Sequence, residues 1–194
     1  MGLLPAVLTV MTKYITDVNE LKSKDIAIVG ILLAVGVILR FFMVLIDLPM
    51  TPNVIIAFYC LAIILIRPKI HEAILIGIVG AALSFIVSSS IFRPANFISE
   101  PLGALVCFTL YALIQNRSNL APGITTFVAT LVSGVSFAII ALTAVSMGIV
   151  ISKATVIGLV TVFIPIIVVT AVVNAIIAQI LFIPSNRVLL RGQE

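Results

Sequence analysis

Long apolar runs and short polar links alternate along this chain. Six runs stand out, over residues 26–46, 53–67, 71–91, 97–115, 123–149 and 154–183. A helix needs about 20 apolar residues to cross the hydrocarbon of a bilayer. The second and fourth runs are at the short end of that requirement. The fifth and sixth exceed it by enough to tilt or to add a turn at the membrane surface. None has the short alternating pattern of an outer-membrane barrel strand. The pattern predicts an all-α fold, an integral membrane bundle of six transmembrane helices spanning residues 25–187. Residues 1–24 read as an N-terminal extension or interfacial helix, and residues 188–194 as a tail.

The links carry most of the charge. Lys13, Lys22 and Lys24 precede the first run, and Arg67, Lys69 and His71 follow the second. Arg117 follows the fourth, and Arg187 and Arg191 follow the sixth. Six spans place all of these on one side. The other side holds only Arg93 and Lys153, with Arg40 near the outer end of the first run. Basic links stay in the cytoplasm, so both termini are expected there. Five or seven spans would divide the basic links between the two sides. The opening "MGLLPAVLTVMT" lacks the basic start and cleavage site of a secretory signal. Ala6 breaks the myristoylation pattern.

Composition agrees with this pattern. Hydrophobic residues make up 62% of the 194 and charged residues 9%, against about 25% charged in a soluble domain. The net charge of +4 sits in the links, so it speaks for membrane topology and against a nucleic-acid partner. There is no P-loop, no G-x-S-x-G elbow and no H-E-x-x-H pair. His71 is the single histidine, and Cys60 and Cys107 are isolated in apolar runs. No enzyme, metal site or cofactor is expected.

The informative residues are therefore the few polar ones beside or inside the runs. A charged side chain at mid-bilayer costs about 2.5–3.5 kcal/mol or more. Arg40, Asn53, Arg93, Asn96 and Glu100 all map to the outer third or the outer links. An arginine fork suits a carboxylate and a glutamate suits an ammonium, so these groups together would grip a zwitterion. Phe41, Phe42, Met43, Met50, Phe92, Phe97 and Met147 lie at a depth to cover its side chain. The plainer alternative is an Arg93–Glu100 interfacial pair that anchors the third and fourth helices. Asn174, inside the sixth run, either bonds a neighbouring helix or faces a ligand. Pro165 is expected to kink or break that helix. Gly30 and Ala34 are four apart, with Gly36 near that face, and Gly77, Gly80, Ala81 and Ala82 form a second small-residue patch. Each patch suits either an internal helix contact or a docking face for another membrane subunit.

Three stretches carry a resemblance: "AIVGILLAVGVILR", "TPNVIIAFYCLAIILIRPKIHEAILIGIVGAALS" and "RPANFISEPLGALVCFTLYAL". They resemble the S components of energy-coupling factor transporters, and within these the bacterial tryptophan-transporter family. The likeness covers about residues 25–115, with Asn174 and a later "IP" also matching. It implies a subunit that captures substrate from outside, a tryptophan-like small molecule. It also implies partners, a membrane coupling subunit and two ATP-binding cassette ATPases, which would supply the energy that a chain without a P-loop lacks. Gly30 and Ala34 match the family's Ala-xxx-Ala docking motif, with Gly for the first Ala. In the family other residues occur at the positions matching Arg40 and Glu100. The alternatives are an S component for another small molecule such as a vitamin, a stand-alone secondary carrier, and a non-transporting assembly protein.

Overall fold

The computed structural model describes residues 12, 22–45, 52–152 and 154–191, with 186–191 as backbone only. The expected extension over 1–24 lies almost wholly outside those residues, as do Met50 and Lys153. Six helices run through the described residues of 22–191: α1 Ser23–Val44, α2 Ile55–Ile66, α3 Ile70–Val87, α4 Asn96–Ile114, α5 Ala121–Ser146 and α6 Val156–Arg191. A single 3-10 turn, Arg93–Ala95, leads into α4. The described residues contain no strand. The all-α six-helix expectation therefore holds, with ends displaced by a few residues. The largest displacement is in α6, whose helix continues through Pro165 and Pro184 to Arg191, so Pro165 does not break it.

The short α2 explains the architecture. Its 12 residues extend about 18 Å at 1.5 Å per residue, well under the roughly 30 Å of hydrocarbon. It is apolar on every side, and a helix of that kind belongs in an interior. Ile55 to Ile64 are all buried, and α2 packs against each of the other five helices. Those five form an arc around it in the order α1, α3, α4, α5, α6, each touching the next. They are long and apolar enough to cross a membrane. Ile31, Ile38, Ile86, Ile139, Val169 and Ile176 are among their exposed large side chains. Water would not tolerate so continuous an apolar exterior, so the solvent for these faces is lipid and the chain is a multi-pass membrane protein.

Local chemistry fixes the ends. Asp25 and Glu72 sit three residues into their caps and accept hydrogen bonds from the backbone N–H of Lys22 (2.9 Å) and Lys69 (2.6 Å). These satisfy donors that a helix start leaves free. At the end of α5, Gly148 has φ 71° and donates its N–H to the Val145 carbonyl, while Ile149 donates to Ala144. That is a Schellman turn, for which a residue without Cβ is favoured. The small residues of α3 face inward. A Cβ on Gly77 would stand 2.7 Å from the Ala104 Cβ and 3.0 Å from the Pro101 Cα. Glycine at 77 is what allows α3 and α4 to approach at the level of Glu100. Gly80 meets the Tyr59 ring in the same way. The second small-residue patch is thus an internal contact.

Candidate functional site

Four of the six polar residues singled out in the sequence line one cavity. Arg40 comes from α1, Asn53 from the turn before α2, and Asn96 and Glu100 from the first turns of α4. All four are buried, Arg40 and Glu100 to 1% exposure. Arg40 Nη1 donates to Ser84 Oγ on α3 at 2.7 Å. Asn53 Nδ2 donates to Glu100 Oε1, and a longer approach of 3.5 Å joins it to the same Ser84 oxygen. A carboxylate accepts only, so it fixes which face of the Asn53 amide it meets. Asn96 Nδ2 donates to the Arg93 carbonyl at 2.8 Å, tying the start of α4 to the 3-10 turn before it.

Arg40 and Glu100 are not an ion pair. No nitrogen of one lies within 4.0 Å of an oxygen of the other. Arg40 Nε and Glu100 Oε2 are both buried without a hydrogen-bond partner, and so is Asn53 Oδ1. The Tyr59 and Ser133 hydroxyls stand beside the Glu100 carboxylate, but the Tyr59 hydroxyl closes no hydrogen bond of normal geometry. Buried polar groups are nearly always satisfied, because each orphan costs about 1–3 kcal/mol and more when charged. Here a buried cation and a buried anion flank one cavity, and each keeps an unused polar atom.

The rest of the wall comes from α2, α5 and α6. Thr130, Ser133, Gly134 and Phe137 form a stripe along α5, facing Ile56 of α2 and Ile167 and Thr170 of α6. Phe137 and Ile167 belong to an apolar cluster that also includes Ala95, Leu159 and Phe163, with Ile91 and Phe92 packed against it. The segment before α4 therefore closes the cavity over its apolar side. The cavity volume is about 20 Å³. That is room for one or two waters. An aromatic amino acid enters only if side chains or the segment over the cavity move.

Two expected residues are placed elsewhere. Arg93 is exposed on the 3-10 turn and does not line the cavity, and no Arg93–Glu100 pair forms, so the plainer reading of those two residues fails. Asn174 is fully buried in α6 one turn beyond Thr170, outside the lining. Its Nδ2 donates to the Asn53 carbonyl (2.9 Å) and to Thr130 Oγ1 (3.2 Å). It holds the turn that carries Asn53. The expected aromatic cover is also displaced. Phe41, Phe42 and Phe97 are 46–58% exposed and face outward, because neighbours of an inward Arg40 or Asn96 point away by about 100° per residue, and Met147, at the end of α5, is 71% exposed. The ring at the cavity is Phe137. Sequence reasoning passed over it with Ser84, Ser99, Thr130 and Ser133, although Thr126, Thr130, Ser133 and Phe137 recur at three- and four-residue spacing on one face of α5.

A protein-family model described as Tryptophan transporter TrpP matches residues 22–190. No significant match exists among curated proteins or solved structures.

Proposed function

The chain belongs to the tryptophan transporter TrpP family, and from that membership we propose that it is the substrate-binding S component of an ATP-driven energy-coupling factor transporter, taking up tryptophan across a prokaryotic cell membrane with both termini in the cytoplasm. The observation that carries the binding reading is the unpaired Arg40 and Glu100 on one cavity. The Arg40 guanidinium takes the substrate carboxylate. Glu100 Oε2 and Asn53 Oδ1, both unused, take the ammonium. The indole lies against Phe137 and Ile167, in the apolar half of the cavity, where aromatic contact adds to burial. Tryptophan thereby supplies partners for these unused atoms, and binding closes the two charges into one neutral chain of hydrogen bonds.

The other side of α1 supports energy coupling. Gly30 and Ala34 are exposed, and a Cβ on Gly30 would meet nothing within 4 Å. In this bundle α1 packs against α2 and α3, which leaves that small-residue face free for a backbone-close contact with a membrane coupling subunit. Two ATP-binding cassette ATPases bound to that subunit would provide the work. The test is reconstitution. Vesicles with this chain, the coupling subunit and the ATPases should accumulate tryptophan when ATP is enclosed. Accumulation by this chain alone, without ATP, would make it a stand-alone carrier and overturn the coupling reading.

A further inference from the structure

Away from the Arg40–Glu100 cavity, a second depression runs along the outside of the bundle between the start of α5 and the later half of α6. Leu120, Ile124 and Phe127 form one wall, and Val172, Ile176 and Ile180 the other. Its volume is about 430 Å³, open on one side. Gly123 and Ala175 make its floor low. Gln179, the one polar residue of the lining, is turned down and fastened rather than filling the groove: its Oε1 accepts from the Gly123 N–H at 3.0 Å and its Nε2 donates to the Asn119 carbonyl at 3.1 Å. Both walls lie in helices that cross the bilayer, so the groove opens to lipid rather than to water.

The link that leads into one end of the groove has a charge. Leu120 closes that end, and three residues before it Arg117 is exposed in the α4–α5 link. Arg117 makes no ion pair with any described residue. The stretch from Gln115 to Ile124 contains no acidic residue. A continuous apolar channel with an uncommitted cation at its interfacial end matches one kind of ligand, an acyl chain carrying an anionic headgroup. We propose that this groove is a binding site for an anionic phospholipid, with one acyl chain between α5 and α6 and the headgroup phosphate at Arg117. The snorkelling arginine reaches the phosphate layer while its stem stays beside the chain.

Native mass spectrometry of the full chain released from nanodiscs tests this. The nanodiscs contain equal amounts of phosphatidylglycerol and phosphatidylcholine. The wild-type chain should retain one phosphatidylglycerol in clear excess over phosphatidylcholine. Arg117→Ala should retain lipid but lose the preference for the anionic one. Ala175→Phe, which fills the groove floor, should lose the retained lipid altogether. Melting temperature and size-exclusion profile check that both variants fold, and a second groove filler, Val172→Phe, replaces Ala175→Phe if that variant does not. Equal retention of the two lipids by the wild-type chain overturns the proposal. So does a preference that survives Arg117→Ala, or a dimer mass in place of bound lipid, which would assign the groove to a second copy of the chain.

Discussion

Arg40 and Arg93 make the sharpest contrast between single residues. Arg40 is sealed in with one nitrogen unused, whereas Arg93 is in the open. Surface substitutions usually change stability or binding by less than about 0.5 kcal/mol. Arg93→Ala should therefore leave tryptophan affinity within about threefold of wild type, while Arg40→Ala should abolish measurable binding. Isothermal titration on detergent-purified variants decides this. Glu100→Gln keeps the shape and removes the charge. Losing a charge-assisted hydrogen bond costs about 1.5–3 kcal/mol, so its affinity should fall by roughly 10- to 150-fold. Removing one of two buried opposite charges also destabilises a fold by about 3–5 kcal/mol, whereas removing both can be nearly neutral. The double variant Arg40→Met, Glu100→Gln should thus melt closer to wild type than Arg40→Met alone, yet bind no tryptophan. Recovery of binding in the double variant would mean the charges serve only each other.

At the scale of elements, the site depends on how closely helices approach. Gly77 lets α3 lie against α4 at Glu100. Gly77→Val inserts atoms where no space exists, at a cost of about 1–3 kcal/mol, and should both lower the melting temperature and weaken tryptophan binding. Gly148→Ala tests the opposite case. It strains the turn after α5 by about 1–2 kcal/mol but lies far along the chain from the cavity lining, so only the melting temperature should move. On the outer face, Gly30→Leu should leave tryptophan binding intact and stop ATP-driven uptake. Loss of binding in that variant would make Gly30 an internal packing residue. The helices themselves were legible because apolar runs report the bilayer directly. The buried role of α2 was less so: its run looked like a short span, and only its lack of any polar face hinted that protein surrounds it.

For the whole molecule, the sequence carried the charges of the site better than its walls. Arg40, Asn53, Asn96 and Glu100 stand out because lipid makes polar groups costly. Ser84, Ser99, Thr130 and Ser133 do not, since a hydroxyl is small, uncharged and able to bond within its own helix, as Thr130 does to the Thr126 carbonyl at 2.8 Å. Arg93 was overvalued for a related reason. A sequence gives its depth along the membrane but not the direction in which it points. The same ambiguity placed Phe41 and Phe42 at the cavity when they face out, and left Phe137 unnoticed in a run of similar residues. What unites the bundle is that its two buried ionic groups, Arg40 of α1 and Glu100 of α4, converge on one cavity, with the segment leading into α4 packed over its apolar side.

The grip on a zwitterion is tested most directly by removing one end of the ligand at a time. The chain contains no tryptophan, so the fluorescence of bound indole compounds can be followed without interference from the protein. Tryptophan, tryptamine and indole-3-propionate, titrated onto the purified wild-type chain, present both charges, only the ammonium, and only the carboxylate. With Arg40 and Glu100 each holding one end, tryptophan should bind at least about tenfold more tightly than either analogue, a charge-assisted hydrogen bond's worth. Equal affinity for tryptophan and either analogue would contradict the account.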